Sequence, residues 1–284
     1  MKNEQEPSRY DAKFKGKIKM DTQGKYTVIT GASSGIGYAT AKAFAKRKKN
    51  IILVARRENK LIELKKEILQ EIPELDIVIK SVDVSVSQNA HQLYRELNPY
   101  PIETWINNAG FGGYDSVSGQ DMEKIETMLR LNVEALTIFS SLYVRDYRDV
   151  DGTQLINVSS AGGYTIVPTA VTYCASKFYV SAFTEGLAHE LKAANAKLQA
   201  KVLAPAATKT EFGKVANNAS EYDYDKTFST YHTSDEMAHF LLQLYDSSMT
   251  VGRVDREAFE FKLSEPLFDY AGNSKNNQKV QLKD

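Results

Sequence analysis

The sequence predicts an α/β fold, a doubly wound parallel sheet of about seven strands with helices on both faces. Two observations carry this. Short β-rich runs alternate along the chain with longer segments of helical period. No Pro/Gly/Ser-rich linker and no internal repeat interrupts that alternation, so one domain is expected. Parallel neighbours need crossover connections, helices supply them, and each crossover favours one hand.

Taken in order, the first strand is expected at 25–30 (KYTVIT), followed by a glycine-rich turn and a helix of good propensity running toward Arg47. A second strand, 50–55 (NIILVA), leads into a helix over 57–72, where Leu61, Leu64, Ile68 and Ile72 recur at spacings of three and four. Strands three and four are expected at 76–82 (DIVIKSV) and 103–109 (ETWINNA), with an apolar helix through 128–139 after them. A fifth at 153–159 (TQLINVS) precedes a long helical segment, 170–191. The sixth is 198–205 (LQAKVLAP) and the last 257–263 (EAFEFKL). Residues 1–24 are polar and aperiodic and read as an N-terminal extension of low order. The domain runs from 25 to 263, and 264–284 is expected to leave the sheet as a polar tail.

Composition narrows the function classes. With 284 residues, 42% of them hydrophobic, the chain can bury one large core. Lys and Arg number 36 and so do Asp and Glu, so no net charge pulls it toward nucleic acid or an anionic membrane. Its apolar runs fall far short of the ~20 residues a bilayer crossing needs, and residues 1–20 lack the apolar stretch of a secretory signal. A cytoplasmic protein is expected. The single cysteine, Cys174, has no partner for an internal disulfide, and the four histidines show no metal-ligand spacing, so no metal is expected.

Chemistry first shows at 26–47, where Gly31, Gly35 and Gly37 lie between strand and helix. Glycines let the backbone turn tightly against a pyrophosphate, while a helix N-terminus offers free N–H groups and a favourable dipole. Ser33 and Ser34 add hydroxyls to the same stretch, which includes Ile36. The spacing is GxxxGxG rather than GxGxxG, and a turn that merely packs helix on strand is the alternative reading. Tyr173 and Lys177 stand four apart in a helical segment, so a phenol and an ammonium share one face. A cation beside a phenol favours the phenolate, which predicts a lowered Tyr173 pKa.

In order and spacing, TGASSGIG at 30–37, NNAG at 107–110 and YCASK at 173–177 resemble the short-chain dehydrogenase/reductase family. The likeness is detailed over roughly 25–210 and looser to about 263. It implies a single Rossmann-like domain with a seven-stranded parallel sheet and a nicotinamide coenzyme. It also implies site roles. Tyr173 is the general acid in carbonyl reduction and the base in alcohol oxidation, and Lys177 also bonds the nicotinamide ribose. Ser160, thirteen residues before the tyrosine, donates to the substrate oxygen, leaving its neighbour Ser159 as a locally bonded hydroxyl. Asn132 interrupts an apolar helix and by itself reads as a polar group satisfied at a helix contact; the resemblance makes it the holder of a water linking Lys177 to solvent.

The remaining groove residues follow from the same resemblance. Asp83 and Val84 meet the adenine ring, Asp83 also being able to cap the next helix. Asn108, Ala109 and Gly110 lie beside the coenzyme. Pro205, Thr208 and Thr210 embrace the nicotinamide amide and pyrophosphate, with Ala206 where the family carries glycine; alanine is tolerable there at negative φ. Residues 211–232 would be a lid, in which Tyr222, Tyr224, Phe228 and Tyr231 read equally as packing or substrate contacts. Cys174 reads as a small helix-contact filler.

Coenzyme choice turns on 51–60, IILVARRENK. An NAD site places an acidic side chain at this strand end, whereas here Ala55 is followed by Arg56 and Arg57. Guanidinium suits a 2′-phosphate. NADP(H) is therefore expected over NAD(H), with Arg56 as the main contact and Arg57 second. The expected activity is hydride transfer to or from a small-molecule carbonyl or secondary alcohol, in a homodimer or homotetramer packed through 121–146 and 171–195. The alternatives are an NADP-binding sensor or scaffold, and an epimerase or dehydratase holding its coenzyme tightly.

Overall fold

The computed structural model describes residues 24–271. The expected N-terminal extension lies outside the described residues apart from Gly24, as does the tail from 272 onward. In chain order the elements are β1 (Tyr26–Thr30), α1 (Gly35–Lys46), β2 (Asn50–Ala55), α2 (Glu58–Glu71), β3 (Ile77–Ser81), α3 (Ser87–Glu96) and β4 (Ile102–Asn107). Next come α4 (Met122–Leu129), a π-helical stretch (Arg130–Ala135), α5 (Leu136–Tyr147), β5 (Gln154–Val158), α6 (Val171–Ala193) and β6 (Gln199–Ala204). The chain then forms β7 (Thr208–Lys209), α7 (Phe212–Ala216), α8 (Tyr224–Thr227), β8 (His232–Thr233), α9 (Ser234–Asp246), β9 (Val251–Val254) and β10 (Phe261–Ser264). No helix among the described residues is long and apolar enough to cross a membrane.

Eight strands form one sheet in the order β10-β9-β6-β5-β4-β1-β2-β3, and a short pair, β7 with β8, stands apart. All neighbours in the large sheet are parallel except β10, which runs antiparallel to β9. This corrects the last strand expected from sequence. The seventh parallel strand is Val251–Val254, a four-residue run with Gly252 and Arg253 inside it, and the expected strand at 257–263 is a turn followed by the antiparallel edge. Strand order reverses between β1 and β4. The crevice at such a reversal, outside the carboxyl ends of the strands, is where α/β sheets hold ligands.

Alternate residues of the central strands feed two apolar layers. Ile29, Leu53, Ile106 and Ile156 pack with Phe44, Leu61, Leu64 and Leu241 on the side of α1, α2 and α9. Val28, Ile52, Trp105 and Leu155 pack with Leu93, Phe139 and Tyr143 on the side of α3 and α5. Period two along the strand and 3.6 along the helix make both layers possible.

Two polar features pin this core. Asn107 Nδ2 donates to Asn157 Oδ1 at 2.9 Å and Ser140 Oγ at 3.1 Å, Trp105 Nε1 donates to Asn107 Oδ1, and Asn157 Nδ2 donates to Thr184 Oγ1. This web locks β4, β5, α5 and α6 in register near the carboxyl strand ends. On β6, buried Lys201 donates to the carbonyls of Leu244, Tyr245 and Ser247 at 2.6–3.1 Å and so caps the C-terminus of α9. Burial pushes its pKa down to about 8.

The stretch 264–271, expected to begin the tail, packs on α6. The backbone N–H groups of Leu267 and Phe268 donate to Glu185 Oε2 at 2.6 and 2.9 Å, and Phe268 stacks on Tyr164.

Candidate active site

A cleft of about 880 Å³ opens along the carboxyl ends of the strands, and all but two of the sequence-expected site residues line it. The exceptions are Gly37 and Asn132.

The glycine turn is built by close approach. Gly31 and Gly35 have φ of +70° and +56°, the left-handed region that glycine enters freely. A Cβ on Gly37 would lie 2.5 Å from the Gly31 carbonyl oxygen and 2.5 Å from Asn108 Nδ2, so the third glycine lets α1 close onto β1 rather than face the cleft. Asn108 Nδ2 donates to the Thr30 carbonyl at 2.9 Å, and Thr30 Oγ1 accepts from the N–H groups of Asn108 and Ala109 at 3.0 Å. The turn is thereby fixed to the end of β4. No side chain caps the start of α1 at Ser34, which leaves its first-turn N–H groups available to an anion.

Beside this turn, Arg57 donates to Ser33 Oγ at 3.1 and 3.3 Å and to Glu211 Oε2 at 2.8 Å. The Arg57 bond, against a smaller opposing effect of burial, holds the Glu211 carboxyl below the usual range. Arg56 turns elsewhere, with Nη1 3.7 Å from Asp83 Oδ2. Burial pushes the Asp83 carboxyl up, but hydrogen bonds from the Ser85 hydroxyl and N–H, with Arg56 alongside, bring it below its ordinary value. Arg57 thus touches the glycine turn, and Arg56 leans toward Asp83 at the end of β3.

Pro205, Ala206, Thr208 and Thr210 border the same groove. Thr210 abuts the turn closely enough that a Cβ on Gly35 would lie 3.0 Å from its Cγ2. Ala206 is absent from the positive-φ residues, so alanine sits there without strain. Val84, Ile36 and Ser34 complete the wall.

At the other end Tyr173 and Lys177 rise from α6 toward Ser160, which follows β5. Burial pushes the Tyr173 phenol well above its ordinary value, with the Ser160 hydroxyl acting the other way. The expectation that Lys177 would lower it is corrected here. Lys177 Nζ donates to the Val158 carbonyl at 2.9 Å and lies 5.9 Å from the Tyr173 ring centre, and burial brings its own pKa down to about 8. A cation that is itself easily lost, and directed at a carbonyl, exerts little pull on the phenol. Ser160 Oγ accepts from the Gly162 N–H at 3.0 Å. Ser159 donates to the Lys177 carbonyl at 2.9 Å and pairs with Ser181, so its hydroxyl ties the end of β5 to α6 in place of the local bonding expected of it.

Asn132 occupies the π-helical stretch, a distortion often found at functional sites. Its Nδ2 donates to the Phe111 carbonyl at 2.9 Å and to Ser176 Oγ at 3.1 Å, and its Oδ1 accepts from the Phe111 N–H at 3.2 Å. Both Nδ2 hydrogens are spent in clamping the end of the β4 loop to α6, while Oδ1 keeps one of its two acceptor sites.

Beyond Tyr173 the wall is apolar and aromatic. Of the four lid aromatics, Tyr222, Tyr224 and Phe228 line the cleft, while Tyr231 donates to Asp225 outside it. Tyr114, Phe111, Phe212 and Val167 line it too, packed around Tyr173 and Cys174. Sequence reasoning passed over Tyr114, whose only signal was its position directly after the FGG that follows NNAG. The Cys174 thiol is buried and accepts the Val167 N–H, as a helix-contact filler does.

Comparison with known proteins gives a consistent family. The model of the short chain dehydrogenases matches residues 25–221. A very-long-chain 3-oxoacyl-CoA reductase of Kluyveromyces lactis is 35% identical over 180 residues, 60% of this chain, and the chain spans only 51% of that protein's length. A 7beta-hydroxysteroid dehydrogenase of Clostridium sardiniense is 32% identical, covering 66% of this chain and 70% of its own. Among solved structures, a short-chain dehydrogenase from Sphingobium yanoikuyae in complex with NADPH superposes with a TM-score of 0.73 at 27% identity, covering 80% of this chain and 86% of its own.

Proposed function

Because the chain belongs to the short chain dehydrogenase family, we propose that it is an NADP(H)-dependent oxidoreductase acting between a carbonyl and the corresponding secondary alcohol. The observation that carries this is the convergence of Tyr173, Ser160 and Lys177 in the cleft that also holds the glycine turn and Arg57. The residues fit a dinucleotide. Gly31 leaves room where a Cβ would strike Ala109, the first turn of α1 is uncapped, and Arg57 stands at the edge of the turn. When bound, the nicotinamide supplies or accepts the hydride.

The protein's own part is protonation and placement. Tyr173 stays protonated because it is buried, which suits a phenol that hands its proton to a carbonyl oxygen as negative charge develops. Ser160 is placed to donate to the same oxygen, a stabilisation worth a few kcal/mol in comparable sites. Lys177, near neutrality in its pKa, is suited to returning a proton toward Tyr173 between turnovers. Asn132 acts by holding the Phe111 backbone against α6.

The test is NADPH oxidation against a panel of ketones and aldehydes, with NADH in parallel and with Tyr173→Phe as the control. Turnover by the wild type, with a loss of about a thousandfold in the variant at unchanged coenzyme binding, is expected. Coenzyme binding without turnover across the panel would leave a sensor or scaffold, and full activity in Tyr173→Phe would overturn the assignment of the acid.

A further inference from the structure

The charged residues lining the cleft are unevenly placed. Arg56, Arg57, Asp83 and Glu211 gather by the glycine turn, and Arg256 and Glu257 sit on the exposed turn between β9 and β10. Around Tyr173 the wall is Phe111, Val167, Phe212 and Tyr114, packed as one apolar cluster. No carboxylate or guanidinium belongs to that cluster, and the Lys177 ammonium beside it is turned to the Val158 carbonyl, so a charged substrate would lose its hydration on entry with little to replace it.

Tyr114 stands out in this wall. Its backbone N–H donates to the Ala216 carbonyl at 3.2 Å, which fixes the residue between the β4 loop and the lid. Burial raises its phenol, and Tyr222, Cys174, Tyr224 and Tyr173 are near enough to interact with it electrostatically. Yet no described residue hydrogen-bonds the Tyr114 hydroxyl, whereas its neighbour Tyr224 accepts the Gly213 N–H. The residue is half-buried and lines the cleft, so the unpartnered hydroxyl is open to it. A phenol in an apolar wall, beside the proton donor and open to the cleft, is a contact for a second polar atom of the substrate.

Resting on the oxidoreductase reading above, we propose that Tyr114 is a specificity residue. It hydrogen-bonds a second oxygen, hydroxyl or keto, of an uncharged and largely apolar substrate whose reacting carbonyl lies against Tyr173. The substrate class is therefore the neutral oxygenated alicyclic or aromatic ketones.

Matched ketone pairs test this, one member carrying a second oxygen and the other lacking it on the same skeleton, such as decalin-1,5-dione and 1-decalone. Each is assayed with wild type and with Tyr114→Phe. The wild type is expected to favour the dioxygenated member of at least one pair, and Tyr114→Phe to raise KM for that member roughly five- to tenfold with kcat held, leaving its partner within twofold. Equal effects on both members, or no preference in any pair for the wild type, overturns the role of Tyr114 while leaving the oxidoreductase reading intact. Absence of turnover of every ketone by the wild type instead removes that reading, and this proposal with it. An unchanged melting temperature in Tyr114→Phe is expected; a fall of several degrees together with loss on both ketones assigns Tyr114 to packing and also overturns the proposal.

Discussion

Replacing Arg57 by alanine should separate the two coenzymes. Arg57 presents its guanidinium to Ser33 at 3.1 Å, and its side chain is 44% exposed. A hydrogen bond to a charged group contributes about 1.5–3 kcal/mol, and exposure argues for the lower end. A fork of two such bonds to a 2′-phosphate must first displace the Glu211 carboxylate, an exposed pairing worth about 0–1 kcal/mol. The remainder is about 2 kcal/mol, or roughly a thirtyfold loss in kcat/KM for NADPH. NADH carries no phosphate there, so its kcat/KM should stay within about twofold. Arg56, 67% exposed and drawn toward Asp83, should matter less, about fivefold. Glu211→Gln should lower KM for NADPH about threefold by releasing Arg57. Initial rates with both coenzymes at subsaturating concentration decide the matter. Equal losses for NADPH and NADH in Arg57→Ala would refute the phosphate-reading role, and a larger effect from Arg56→Ala would refute the order of the two.

Other outcomes follow from particular contacts. If the Lys177 ammonium is the form that serves Tyr173, kcat/KM for reduction holds at lower pH and falls as pH rises through about 8, where that buried lysine loses its proton; a profile flat to pH 9.5 would count against it. Lys201→Met strips the cap from three carbonyls at the end of α9 and should destabilise the fold by about 2 kcal/mol in urea melts. Because burial depresses the folded Lys201 pKa to about 8 from 10.5, the unfolded chain binds the extra proton between these values, and wild-type stability gains with pH there. The gap to Lys201→Met should then be wider at pH 9.5 than at pH 7, and a narrowing gap would contradict the burial argument. Gly163→Ala places a Cβ 2.3 Å from Ser159 Oγ and 2.7 Å from the Lys177 carbonyl, which should destabilise by about 2–3 kcal/mol in the same melts.

Local chemistry was legible in the sequence and long-range geometry was not. The glycine turn, the Tyr173–Lys177 spacing and most strands depend on neighbours within a few residues, so pattern alone located them. The strand at 251–254 was missed because four residues containing Gly252 and Arg253 carry no alternation; what makes them a strand is pairing with β6. That Arg57 rather than Arg56 lies on the glycine turn was not legible, because Arg57 is held there in part by Glu211, 154 residues away. The Tyr173 pKa was misjudged in direction because spacing on a helix shows proximity but not depth of burial, and burial dominates. Tyr114, in a glycine-rich loop without period, became visible only through the cluster that surrounds it.

The Glu185 carboxylate on α6 is buried, and its partners are Tyr164 on one oxygen and the backbone of residues 267 and 268 on the other. During synthesis, then, a buried carboxyl group in the middle of α6 waits more than eighty residues for two of its three hydrogen bonds. The loop carrying Tyr164 begins at Ser160, so the placement of that loop draws on contacts made by residues 267 and 268. A nascent chain arrested before residue 268 should hold the parallel core without a settled loop at 160–164.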